Sequence, residues 1–219
     1  MKSCFFWKDP YLEILLPSIL QKGGLVLGHS DTVFGLLAEL SSEGVNSLNR
    51  VKGRQNKPYI ILVENKQKAL ALIEKPITES LQKLIDACWP GPLTLVCKAR
   101  SDFPDGISVD KRGKKGAGTI AVRVPDHAGL LSVLSHVDGL FSTSANKAGF
   151  PVPSCLEEVD PSLLESIDCI VLNQDQDGLN KSILASTILD CTQDSIIKVI
   201  REGAYPISLI EQKTGLKII

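Results

Sequence analysis

From Gly24 to Arg201 the chain is punctuated by short apolar runs: GLVLGH, YIILV, LTLVCK, TIAVRV, CIVL, STILD and IIKVI. Runs of this length, bounded by turn and charged residues, are strands, and their continuous apolarity marks strands covered on both faces. Between them lie stretches with helical spacing. Residues 41–51 open on two serines and carry Val45, Leu48 and Val51 along one face. Residues 11–21, 66–73, 78–88, 127–137, 161–167 and 207–214 also read as helices, the first interrupted by Pro17. The alternation has no strict strand–helix–strand repeat. It predicts an α/β fold, a twisted mixed sheet flanked by helices. At 219 residues the chain can bury a core without staples, and no linker divides it. Residues 1–219 are therefore expected to form a single domain, with no additional C-terminal domain.

Composition removes several function classes. Lys+Arg 24 against Asp+Glu 25 gives a net charge of −1, too little for a general nucleic-acid coat but compatible with a local basic pocket. The six cysteines form no CxxC pair and the three histidines (His29, His127, His136) are scattered, so no protein-ligated metal is expected. Several cysteines sit inside apolar runs, where a reduced thiol behaves as a small core residue. The N-terminus is broken by Asp9, Pro10, Glu13 and Pro17, unlike a secretory signal. No run reaches the ~18 apolar residues of a membrane span. A cytoplasmic protein without membrane contact is expected.

The chemistry-bearing residues are basic and polar groups on turns. VKGRQNKP (residues 51–58) packs Lys52, Arg54 and Lys57 together with Gly53 and Pro58. Extended residues two apart point to one side, so Lys52 and Arg54 face either a common anion or solvent at a helix C-terminus. TSAN offers Ser144 and Asn146 just after a strand, where open α/β sheets place ligand crevices and where Asn also caps turns. RGKKGAGT, within a long polar loop over residues 99–118, has the glycines of an anion nest but no P-loop pattern. Arg123 leaves an apolar strand on the side opposite Val122 and Val124, so it needs a fixed anionic partner, from the protein or from a substrate. His127 reads either as a base or as a structural residue at a helix start. No Ser-His-Asp order stands out, and nothing points to covalent catalysis.

Taken together these segments resemble the YrdC family, the threonylcarbamoyl-adenylate synthases of tRNA modification. GGLVLGHSDTVFGLLA is similar to that family's strand followed by PT[DE]TVYGL, and VKGRQNKPYIILV to its KGRPxxKPL segment. WPGPLTLV, TIAVRVPDH, STSANKAG and STILD…IIKVIREGA follow in the family's order, so the likeness spans roughly residues 23–203. The resemblance implies a YrdC-like fold with a concave basic cavity. It also implies a nucleotidyltransferase that joins L-threonine, bicarbonate or CO2, and ATP into threonylcarbamoyl-adenylate, with release of pyrophosphate. Downstream transfer proteins would then use the product to make threonylcarbamoyladenosine beside the anticodon of ANN-decoding tRNAs.

By the same resemblance Lys52, Arg54, Ser144 and Asn146 are the catalytic cluster. Arg54, Lys57, Thr119, Ser144 and Arg201 would line ATP, which is a substrate accompanied by Mg²⁺. Thr32, Arg123, Ser142 and Ser186 would hold threonine, with Arg123 on its carboxylate. Departures fall elsewhere: His29-Ser30 replaces Pro-Thr, Phe34 replaces Tyr, Gln55 replaces Pro, and Leu62 and residues 152–154 differ from common family residues. Two other readings stand beside this one. An RNA-binding module with weak tRNA contact is opposed by 5% aromatic content, few rings for base stacking. A carbamoyl-adenylate or inactive paralog is the other.

Overall fold

The computed structural model describes residues 3–53, 58–103, 118–147, 149–173, 184–193 and 196–219. In the described chain the apolar runs pair side by side as ten strands. They are β1 (Ser3–Phe6), β2 (Val26–Gly28), β3 (Gly35–Glu39), β4 (Ile60–Leu62), β5 (Leu93–Lys98), β6 (Thr119–Arg123), β7 (Leu140–Ser144), β8 (Cys169–Leu172), β9 (Thr187–Gln193) and β10 (Ile196–Arg201). Their order across one sheet is β1-β8-β2-β3-β7-β4-β6-β5-β9-β10. The β1/β8, β2/β8, β4/β6 and β5/β9 pairs are parallel, whereas β2/β3, β3/β7, β4/β7, β5/β6 and β9/β10 are antiparallel. The sheet is mixed, as the irregular alternation of elements requires.

The helices are α1 (Leu12–Leu20), α2 (Ser42–Lys52), α3 (Lys66–Leu70), α4 (Glu79–Cys88), α5 (Ala128–Leu134), α6 (Pro161–Glu165) and α7 (Ile207–Thr214). Helix α2 is closed at both ends by its own sequence. Ser41 accepts the Gly44 N–H at 3.1 Å, and Gly53 takes φ 58°, the left-handed conformation glycine adopts most cheaply. That stop leaves Lys52 in the last turn. Helix α1 has no side-chain cap and contains Pro17, so packing must hold it. Leu12, Leu16 and Leu20 are fully buried, each contributing about 1.5–3 kcal/mol.

The two faces of the sheet are unequal. One is covered throughout: Leu36, Ile61, Val122, Leu95 and Leu189 pack with Leu48 of α2, Leu84 of α4 and Ile210 of α7. The other is covered by α1 and α5 only over β1, β2, β3, β4, β7 and β8, through Phe5, Val26, Leu37, Leu62, Leu140 and Val171. Cross-strand register extends this second face: Leu37 and Ile60 both oppose Ser142, Ile60 opposes Ala121, and Leu62 opposes Arg123. Beyond the helices, the same face therefore presents Ser142, Ser144, Thr119 and Arg123, a polar floor on an apolar sheet.

Two strands were not anticipated. β1 is a four-residue edge strand whose sequence, SCFF, does not alternate. β3 lies inside the GLLAE run, which follows the preceding loop without a break. The expected loop over 99–118 begins and ends in a hairpin, where Ala99 N–H donates to Gly118 C=O at 2.8 Å. The part of it containing Arg112 and the following glycines lies outside the described residues up to Gly118.

Candidate active site

Three clusters of the expected residues form on the polar half of this face. Lys52 reaches from the end of α2 and is 6% exposed. Its ammonium donates to the carbonyl oxygen of Ser144 at 2.8 Å, to that of Asn146, and to Asn146 Oδ1 at 3.3 Å. Ser144 Oγ donates to the same Oδ1 at 2.5 Å, and Asn146 Nδ2 donates to the carbonyl of Phe150. Lys52 thus binds the backbone of the Ser-Ala-Asn turn as a structural cation. Of the two sequence readings for Lys52, a shared anion or solvent at a helix C-terminus, the solvated one does not hold: the ammonium is buried against this turn.

Arg123, 3% exposed, stands at the end of β6 against residues 29–34, the strap between β2 and β3. Its Nη1 donates to Thr32 Oγ1 at 3.1 Å, and its Nη2 lies 3.3 Å from Asp31 Oδ1. Asp31 Oδ2 accepts the Asp126 N–H at 3.0 Å, tying the strap to the segment that enters α5. Burial pulls the Arg123 guanidinium down from its usual value and the Asp31 charge opposes that pull. The strap also reaches the first cluster, because Ala145 N–H donates to Phe34 C=O at 3.0 Å.

The third cluster joins β5, β9 and β10. Ser186 and Thr94, both buried, share a hydroxyl hydrogen bond of 2.8 Å. Arg201 forks onto the Ser186 carbonyl through Nε at 3.1 Å and Nη2 at 2.7 Å. Partial burial first, and the like charge of Arg123 second, pull Arg201 down, so the two guanidinium groups feel one another. Behind them Thr187 Oγ1 accepts from Gly203 N–H and Tyr205 N–H and donates to Tyr205 C=O at 2.5 Å. Gly203 fits only because it lacks a Cβ, which would lie 2.1 Å from the Ala185 carbonyl.

Ser142 and Thr119 complete the floor on β7 and β6. Arg54 and Lys57 lie outside the described residues. His127 caps α5: its Nδ1 accepts the Leu130 N–H at 3.2 Å, so Nε2 carries the proton and donates to Asn173 Oδ1 at 3.0 Å. That resolves the two readings of His127 in favour of the structural one. Phe34 is buried with its ring stacked on His29, centroids 4.3 Å apart. Desolvation lowers the His29 pKa, a contact with the Ser154 backbone raises it, and His127 lowers it further. Asp31 was missed by sequence reasoning. Its signal was the acidic position of the PT[DE]TVYGL motif that this segment resembles, but the motif gave it no role because its partner Arg123 is far away in the chain.

A separate polar hollow of about 290 Å³, bounded by Glu39, Lys68, His136 and Asp138, sits at the opposite end of β3 and β7 and shares no residue with these clusters. Among the described residues, no group of three or more His, Cys, Asp or Glu side chains is arranged to hold a metal ion. No described helix is long and apolar enough to cross a membrane.

The Sua5/YciO/YrdC family model, described as telomere recombination, matches residues 18–203. A Methanocaldococcus jannaschii protein is 34% identical over 200 residues, covering 90% of this chain and 87% of that one. The threonylcarbamoyl-AMP synthase of Pyrococcus abyssi is 30% identical over 199 residues, 90% of this chain but 55% of the relative, so this chain spans about half its length. Among solved structures, P. abyssi Sua5 complexed with L-threonine superposes with a TM-score of 0.82 at 28% identity, covering 100% of this chain and 62% of that one. E. coli YciO gives a TM-score of 0.77 at 20% identity, covering 96% of this chain and 100% of that one, a likeness of fold.

Proposed function

The chain belongs to the Sua5/YciO/YrdC family, and on that premise we propose that it makes L-threonylcarbamoyl-adenylate from L-threonine, bicarbonate and ATP, releasing pyrophosphate. Its class would be nucleotidyltransferase, and Mg²⁺ would arrive with ATP. Its product would pass to proteins that transfer the threonylcarbamoyl group to tRNA. Residues 1–219 would act as one unit.

The observation that carries this reading is the link between two clusters. Lys52, Ser144 and Asn146 form one, Arg123 and Thr32 the other, and the Ala145–Phe34 hydrogen bond ties them through a single strap. A site joining two anionic reactants needs this arrangement. Threonine condenses with bicarbonate, losing water, to give a carbamate. A carbamate oxygen then attacks the α-phosphorus of ATP, and pyrophosphate leaves with the electron pair of the broken P–O bond. Both reactants are negative, so cations and N–H donors must meet where charge develops. The protein supplies position and field, and no nucleophile of its own is required.

In this assignment Arg123 takes the threonine carboxylate, with Thr32, Ser142 and Ser186 beside it. Arg54, Lys57, Thr119, Ser144 and Arg201 line the nucleotide. Lys52 holds the Ser144–Asn146 turn in the conformation that receives the phosphates. The test is product identity. With ¹³C-bicarbonate, L-threonine, ATP and Mg²⁺, mass spectrometry should find threonylcarbamoyl-adenylate carrying one labelled carbon. An unlabelled threonyl-adenylate, or AMP alone, would refute the proposal.

A further inference from the structure

Arg123 and Asp31 form a buried ion pair with side chains 3% and 8% exposed. Part of its hydrogen-bonding capacity is used: Arg123 Nη1 donates to Thr32, and Asp31 Oδ2 accepts the Asp126 N–H. Two fully buried atoms of the pair are left without a partner. Among the described residues neither Arg123 Nε nor Asp31 Oδ1 has a hydrogen-bond partner, although both are buried. The 3.3 Å approach of Nη2 to Oδ1 is an electrostatic contact without hydrogen-bond alignment. Buried polar atoms in native folds are almost always paired, so an unpaired donor beside an unpaired acceptor asks for a ligand bringing one of each.

A primary α-amino acid is such a ligand. Its carboxylate and its nitrogen flank a single carbon, so the groups receiving them must be neighbours, as Arg123 and Asp31 are. We propose that Asp31 Oδ1 accepts a hydrogen from the substrate's α-nitrogen, so that Arg123 and Asp31 form one clamp for both polar ends of the amino acid. This deepens the threonine-site reading and rests on it. The clamp serves two stages. Free threonine offers N–H from its ammonium, and its carbamate still offers one N–H, so Asp31 keeps its partner through carbamoylation. A secondary amine would lose that hydrogen on becoming a carbamate. A threonine without its amine would leave the carboxylate of Asp31 facing nothing, which is the situation by which polar sites reject analogues most strongly.

The test is calorimetric titration of the full chain with L-threonine and with 3-hydroxybutanoate, which is threonine without its amine. The wild type should bind threonine at least about 10-fold more tightly, the worth of one charge-assisted hydrogen bond. Asp31→Asn should narrow that gap by weakening threonine more than 3-hydroxybutanoate. Equal affinity of the wild type for the two ligands overturns the Asp31 assignment while leaving the threonine site standing. Absence of threonine binding overturns both. An unchanged gap in a folded Asp31→Asn protein also overturns the assignment. Should that variant unfold, having lost its bonds to Arg123 and Asp126, the wild-type comparison decides alone.

Discussion

His29 stands at the proline position of the PT[DE]TVYGL motif that this segment resembles, and its ring is stacked on Phe34 at the base of the strap. Its pKa is lowered in the fold, mainly by desolvation, so the folded protein prefers the neutral ring. The unfolded chain takes up this proton near pH 6.5, the folded one at lower pH. Protonation therefore favours unfolding, and His29 contributes a loss of stability as pH falls from about 6.5 toward the folded value. Urea midpoints between pH 8 and 5 should decline more for the wild type than for His29→Gln, and parallel curves would contradict the sign. At this scale the sequence was informative wherever residue types came in spaced sets. Lys52, Ser144 and Asn146 were legible because KxR and SxN are short patterns, and Arg123 because its charge interrupts an apolar strand. Asp31 stood at the acidic position of the PT[DE]TVYGL resemblance but without a role, which only tertiary contact with Arg123 and Asp126 supplies.

Two glycines separate local from tertiary constraint among the elements. Gly53 ends α2 at φ 58° and a Cβ there would meet nothing within 4 Å. Gly53→Ala should then cost only the left-handed conformation, about 1 kcal/mol. Gly203 has no such backbone, but a Cβ would strike the Ala185 carbonyl at 2.1 Å, against the segment that carries Ser186. Gly203→Ala should cost about 1–3 kcal/mol through displaced backbone. It should also weaken nucleotide binding by disturbing the Arg201 fork on Ser186, while Gly53→Ala should leave the fork intact. Urea denaturation and nucleotide titration would check the ranking, and equal effects on binding would contradict it. Helix α2 was readable from sequence to within a residue at each end, as was the closing helix Ile207–Thr214, whereas the α2 stop at Gly53 was not read as one. The edge strand Ser3–Phe6 was not, because its pairing with Cys169–Leu172 is set by a partner far along the chain. Strand Gly35–Glu39 was absorbed into a motif whose apolar residues are buried on both faces and show no alternation.

Across the whole molecule, function follows from an imbalance in covering. One face of the sheet is covered, while α1 and α5 cover the other only over six strands, and β5 and β6 turn Thr119, Arg123 and Thr94 toward the same side as Ser142 and Ser144. The α/β class and mixed sheet were legible because short apolar runs alternate with amphipathic stretches. Which half of a face α1 and α5 leave uncovered was not, since strand order depends on contacts between segments more than a hundred residues apart, such as Val26 with Cys169. In the proposed function this polar half of the face is a single site for ATP and a threonine-derived anion, organised by Lys52. The most direct measurement is pyrophosphate release with each component withheld in turn, for the wild type and for Lys52→Met. Release should require both threonine and bicarbonate, and should fall roughly 100-fold or more in a folded Lys52→Met protein that has lost the cation holding the Ser144–Asn146 turn. Release that continues without threonine or bicarbonate, or a Lys52→Met protein working at the wild-type rate, would contradict it.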